Sequence, residues 1–272
     1  MKRKNGTSTV LFGAALTVTA LSLYAALASI LEPTIYGDLL AAGTIDEQSR
    51  RGALSQDIVT AALAFVYALV LFGYLRNRRP GDLIALVGGL GYFFYAYGLY
   101  SIEAYYTVLY PLYLLIFGIS LWGVVLGFLE LRPILTAGVV MTRRRRVSIA
   151  AFLLLIPLLL VPVWMVLMMQ MISEHSAQTA YGVFLLDLTV VFPALLLAGG
   201  GLLREKPWAG VLAGVMLIKV FTVCVSWAYG EVRALAATES EAFGLVAISA
   251  GLTLVSSFLL AGYFRQLHTV SE

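Results

Sequence analysis

Cysteine and histidine are almost missing from this chain. Its 272 residues include one cysteine, Cys224, and two histidines, His175 and His268. A lone cysteine closes no intramolecular disulfide and forms no redox or zinc pair. The two histidines fall in an expected loop and in the C-terminal tail, which supports neither a His/Cys metal site nor a metalloprotease helix. No metal and no cofactor is therefore expected, and Cys224, inside an apolar run, reads as a small core residue. Charge is scarce as well. Only 12% of residues are Asp, Glu, Lys or Arg, against about a quarter in a soluble domain. That excludes an ordinary soluble protein.

Apolar residues make up 61% of the chain, and the mean hydropathy is +0.92. A helix crossing a bilayer needs about 20 such residues in a row. Runs of that length fall near 8–31, 55–75, 81–102, 105–129, 147–172, 181–203, 208–229 and 242–264. In lipid each segment must satisfy its own backbone, so every run is a helix. The expected fold is all-α, a polytopic transmembrane bundle of about eight helices. It forms one integral domain over 1–272 with the lipid bilayer as its solvent.

The charges that do occur are sorted. Lys2, Arg3, Lys4, Arg76, Arg78, Arg79, Arg132, Arg143 to Arg146, Arg204, Lys206 and Arg265 fall at alternate helix ends. The opposite ends carry Glu32, Asp38, Asp46, Glu47, Glu103, Glu174, Glu231, Glu239 and Glu241, with Arg50, Arg51 and Arg233 as the bases. This positive-inside pattern predicts a cell-membrane protein with both termini cytoplasmic. The Arg143–Arg146 run sits between two spans, where it reads as a stop-transfer anchor beside anionic headgroups. No nucleic-acid partner is expected, and the pattern leaves the oligomeric state open.

The N-terminus resembles a signal sequence, with Ala26-Leu27-Ala28 as a small-residue cleavage pattern. The length of its apolar run favours a retained first helix. Residues 32–54 form the longest polar stretch and are expected outside. Leu39, Leu40 and Ile45 among acidic residues suggest a short amphipathic lid on the bundle.

Ionisable residues inside spans are the candidates for function, since each costs about 2.5–3.5 kcal/mol to insert. Asp187 and Lys219 occupy the two arms of a hairpin whose turn is Arg204-Glu205-Lys206-Pro207. Counted outward from the turn, their depths differ by about 7 Å at 1.5 Å per residue. A lysine stem covers most of that, so they are expected to pair or to face one polar cavity. Asp57 opens the second span near the interface, where a hydrated or helix-capping carboxylate is the plain alternative to a site. Tyrosines crowd the third and fourth spans: Tyr92, Tyr95, Tyr97, Tyr100, Tyr105, Tyr106, Tyr110 and Tyr113. An interfacial aromatic belt explains most of them, with Tyr106, Tyr110 and Tyr113 on one helix face. Tyr92 and Tyr95 lie deeper and could line a cavity with Glu103 above them. Pro157 and Pro162 should kink the fifth span.

The two halves, 1–135 and 143–272, follow the same plan: basic start, helix, external loop, Asp-bearing span, basic turn ending in proline, two helices. Aligning Pro80 with Pro207 puts Tyr92 opposite Lys219 and Tyr100 opposite Trp227, whereas Asp57 and Asp187 align only across a three-residue gap. Such halves would be parallel repeats, a design found in transporters.

The segment DLTVVFPALLLAGGGLLREKPWAGVLAGVMLIK, through Asp187, Pro193, Pro207, Trp208 and Lys219, resembles a stretch that recurs in uncharacterised multi-pass membrane proteins of bacteria and archaea. The resemblance implies a membrane bundle and no activity. A retinal Schiff base on Lys219 is disfavoured. Position 215 is Val, where microbial rhodopsins keep an Asp one turn before their lysine.

Three functions are compatible with these features. The first is a transporter of a small solute or ion, with Asp187, Lys219, Tyr92, Tyr95, Glu103 and Asp57 as candidate binding residues. The second is a sensor or assembly subunit in which the Asp/Lys pair only sets helix packing. The third is an intramembrane lipid-modifying enzyme, which would need clustered Asp, His or Asn that the expected spans lack. No catalytic residue is expected.

Overall fold

A computed structural model describes residues 6–103, 105–175, 181–236 and 242–270. The expectations for Lys2, Arg3, Lys4, Glu239, Glu241 and the loop after His175 lie outside the described residues, as does the side chain of His268. The elements are α1 (Gly6–Leu31), α2 (Thr34–Ala41), α3 (Glu47–Asn77), α4 (Pro80–Ile102), α5 (Tyr110–Glu130), α6 (Arg132–Ala137), α7 (Arg143–Glu174), α8 (Tyr181–Leu186), a π turn (Asp187–Val191), α9 (Phe192–Leu203), α10 (Pro207–Ala236) and α11 (Ala242–Val270). Among the described residues there is no strand. Eight helices are long and apolar enough to cross a membrane, with α8, the π turn and α9 forming one of them. Large apolar side chains such as Leu158 and Phe258 stand 70% and 79% exposed at mid-span. Only lipid solvates such a surface, so the chain is a polytopic all-α membrane protein.

Helices α4 and α10 form the centre: 72% of the most apolar window of each is buried, against 17% for α11. They cross each other, and each packs on the helix that follows it, α5 and α11. Outside this pair α1 packs on α3 and α5, and α7 packs on α9. The crossing of α4 and α10 is close because Gly88 has no side chain. A Cβ there would stand 2.8 Å from Ile218 Cβ, one residue before Lys219.

Two helix starts differ from expectation. The second span begins at Glu47, with Asp46 accepting the Ser49 N–H at 2.7 Å as its N-cap. That hydrogen bond holds the Asp46 carboxylate below its usual range. The charged residues 47–54 are therefore its first turns, projecting beyond the apolar run, and not part of a loop. The fourth span begins at Tyr110, because Pro111 fits a first helical turn. Tyr106 lies before the helix, so it does not share a helical face with Tyr110 and Tyr113, although its ring meets that of Tyr110 edge-on at 4.7 Å.

The tyrosine belt is also corrected. Tyr92, Tyr95, Tyr97, Tyr100, Tyr105 and Tyr113 are all buried, while Tyr106 remains exposed. Their hydroxyls are used inside: Tyr97 donates to the Ser22 carbonyl at 3.0 Å and Tyr100 to the Ala53 carbonyl at 3.1 Å. Helix α7 continues through Pro157 and Pro162 without a break.

The basic turns at 78–80 and 205–207 are built alike. Arg78 and Glu205 both adopt left-handed backbone, φ 52° and 54°, two residues before the proline that starts the next helix. Arg78 donates to Ser8 Oγ of α1 at 2.7 Å, and Glu205 pairs with Arg146 of α7. Arg145 bonds the Gly262 carbonyl, so part of the arginine run clamps this end of the bundle.

Candidate functional site

Asp187 stands at the first position of the π turn. Pro193, six residues on, offers no N–H to the carbonyl of residue 189, and its ring crowds that carbonyl. The helix responds by widening, and the Phe192 N–H bonds back to the Asp187 carbonyl. Single π turns of this kind concentrate at functional sites.

Three side chains gather on Asp187. Lys219 of α10 brings its Nζ to 4.0 Å from Oδ1, its stem covering the depth difference read from the sequence. Trp164 of α7 donates its Nε1–H to Oδ2 at 3.1 Å. Tyr95 of α4 supplies its ring face to the ammonium, 3.8 Å from the centroid. An ion pair combined with a cation–π contact accounts for a charged lysine so deep in the bundle.

A cavity of about 970 Å³ reaches this centre. Its lining includes Asp187, Trp164, Tyr92, Tyr95 and Trp227 beside Leu99, Leu160, Val183, Val223 and Leu245, with Gln48, Arg51, Gln56 and Glu231 from the starts of α3 and the end of α10. The polar group therefore lies toward the acidic-loop end. Lys219 is not part of the lining. Asp187 borders the cavity, and Lys219 reaches it through Asp187 and Tyr95.

The Pro80–Pro207 alignment pairs two further positions with the charged residues. Adding 127 to positions 60 and 92 gives 187 and 219. Thr60 Oγ1 and Tyr92 OH are hydrogen-bonded at 2.7 Å, where the second half places Asp187 and Lys219. The α3–α4 contact is thus joined there by a neutral hydrogen bond, whereas Asp187 and Lys219 join theirs by charge.

Asp57 belongs elsewhere. Because α3 starts at Glu47, Asp57 lies three turns inside the helix, neither hydrated nor a cap. It accepts hydrogen bonds from Ser29 Oγ (2.5 Å), Tyr36 OH (2.6 Å) and Tyr100 OH (2.9 Å). Tyr36 is carried by α2, the expected lid, whose Ile35, Tyr36 and Leu39 are buried. Asp57 does not line the cavity.

Glu103, at the end of α4, is also outside the lining. Its carboxylate is turned to the backbone N–H groups of Gly182 and Val183, and a Cβ on Gly182 would come within 2.9 Å of its Cγ. Among the described residues its Oε1 has no partner. Burial pushes its pKa up to about 7 from 4.5, against the pull of those amides. Between these values the folded protein holds a proton that the unfolded chain has lost, so stability declines as pH rises through the window. Glu103→Gln is expected to flatten that part of a thermal-unfolding profile in detergent; an unchanged slope would place the titration elsewhere.

Sequence reasoning singled out Asp187, Lys219, Tyr92 and Tyr95 but missed Trp164 and Trp227. The available signal was general: an indole inside a span needs an acceptor for its N–H. Trp227 finds it in Glu231 at 2.7 Å. Among the described residues no three His, Cys, Asp or Glu side chains gather as metal ligands would. No family model matches the chain, and no curated protein or solved structure matches it.

Proposed function

We propose that this chain is a transporter of a small solute or ion, with Asp187 and Lys219 as its charged centre. It would sit in the cell membrane with its basic turns and both termini cytoplasmic, following the positive-inside rule. The supporting observation is the contrast between the two related crossings. A Thr60–Tyr92 hydrogen bond suffices to join helices at one. At the other the charged pair includes Asp187, which borders a cavity large enough for a solute. This weighs against a purely structural pair.

In this reading 1–135 and 143–272 are parallel repeats about an axis along the membrane normal, and the site lies beside the central α4–α10 crossing, as repeat-built transporters place theirs. Separating Lys219 from Asp187 would change the charge at the cavity floor. Purified protein in proteoliposomes with an internal pH dye, challenged with pooled amino acids, organic cations, organic anions and sugars, tests the assignment. At least one pool is expected to move protons or accumulate, and the Asp187→Asn/Lys219→Met double variant should abolish that flux. A folded double variant with wild-type flux would remove Asp187 and Lys219 from the mechanism.

A further inference from the structure

The chemistry of the cavity wall narrows what the site can hold. Of the charged groups in the lining, Asp187 and Glu231 are anionic and Arg51 is cationic. Arg51 is already within 3.9 Å of Glu47. Tyr92, Tyr95, Trp164 and Trp227 contribute four aromatic rings, whose faces attract cations. Leucine and valine side chains complete the wall. Carboxylate, ring faces and aliphatic surface together suit a positive charge on an apolar body.

The position of Lys219 adds the second half of the argument. At 4.0 Å it is in ion-pair range of Asp187 but beyond hydrogen-bond length. Asp187 borders the cavity and Lys219 does not, so a ligand can reach the carboxylate beside the Trp164 and Tyr95 groups that contact it. The titratable groups facing Lys219 are Asp187 on the π turn, Tyr95 on α4 and Cys224 on its own helix. Asp57 on α3 is engaged by Ser29, Tyr36 and Tyr100. One carboxylate in a low-dielectric site does not neutralise two ammonium ions.

Resting on the transporter reading, we infer that the cavity binds an organic ammonium ion with an apolar body, which takes Asp187 from Lys219 and expels the lysine's proton. The step balances. The empty site holds a carboxylate and a protonated lysine; the loaded site holds the same carboxylate, the bound cation and a neutral amine, with one proton released to water. Loading exchanges one cation for one proton, and release reverses it.

The test uses the full chain carrying Val223→Cys, a lining position, with Cys224→Ser to remove the native thiol. Trimethylammonioethyl and sulfonatoethyl methanethiosulfonate differ mainly in the sign of their charge. The cationic reagent is expected to react faster by about tenfold, relative to their ratio on a free thiol, and benzyltrimethylammonium should protect the site. Equal rates, or a faster anionic reagent, would overturn the ligand class while leaving the cavity a solute site. No reaction with either reagent would overturn the transporter reading itself. Binding of benzyltrimethylammonium to the otherwise unaltered protein should release about one proton into a weakly buffered indicator solution, and none from the Lys219→Met variant. Binding with no proton released from the wild type would overturn the displacement step. These rates come from proteins with Asp187 and Lys219 intact, so a folding defect in one variant does not decide the result.

Discussion

Asp187→Asn is expected to lower the stability of the detergent-solubilised protein by about 3–5 kcal/mol, the range for breaking one side of a buried ion pair. Lys219→Met should cost less. The asymmetry follows from access to the cavity. Asp187 lines it and keeps the Trp164 N–H at 3.1 Å when Lys219 is lost, so water offsets part of the missing charge. Lys219 lies outside the lining, and after Asp187→Asn its ammonium keeps, among the described residues, the Tyr95 ring and a neutral amide in place of the carboxylate. A desolvated cation–π contact supplies about 2 kcal/mol, whereas opposite charges 4 Å apart attract by about 4 kcal/mol at an effective dielectric of 20. The double variant Asp187→Asn/Lys219→Met should recover most of the loss, because it leaves no uncompensated charge. Thermal unfolding of the four proteins measures this coupling. Additive losses in the double variant would mean that the two charges act independently, each with its own partner.

The physics of lipid made the spans legible. An apolar run of sufficient length has to be a helix, so the sequence alone carries eight crossings, and Asp187 and Lys219 stand out in it because charge is costly there. What escaped was set by local hydrogen bonding and by packing between distant segments. The start of α3 depends on the Asp46 cap, which hydropathy does not weigh, so helix outside the bilayer read as loop. The π turn depends on Pro193, visible in the sequence but silent about which direction the helix widens. The tyrosines misled for a related reason: at the ends of spans they match an interfacial belt, and only the fold shows Tyr36, Tyr97, Tyr100 and Tyr113 turned inward together. Charge singled out Asp57 as well, but its partners come from α1, α2 and α4, and no spacing along one helix predicts that meeting.

Asp57→Ala is expected to be the second severe change, destabilising by about 2–4 kcal/mol and freeing α2 from the bundle. The expected effect follows from what each of the three donors can do next. Ser29 Oγ already lies 3.1 Å from the Ala25 and Ala26 carbonyls, and Tyr100 OH is 3.1 Å from the Ala53 carbonyl; both keep an acceptor. Among the described residues Tyr36 retains the Tyr113 hydroxyl at 3.5 Å, the limit of a hydrogen bond, and the Tyr100 hydroxyl, which Asp57 no longer orients. A buried donor without its acceptor costs about 1–3 kcal/mol, and loss of the carboxylate also opens a void among packed rings. Tyr36 carries much of the attachment of α2, so the segment from Thr34 to Asp46 should become open to proteolysis. Tyr36→Phe deletes one donor and leaves Asp57 with two; it is expected to cost about 1–2 kcal/mol. Ranking the variants by unfolding temperature and by cleavage rate within 34–46 separates the causes. If Tyr36→Phe proves as damaging as Asp57→Ala, the Tyr36 bond alone holds the lid. If Asp57→Ala leaves α2 protected, apolar packing of Ile35 and Leu39 suffices to seat it, and the carboxylate at the centre of the tyrosines is not what fastens the lid.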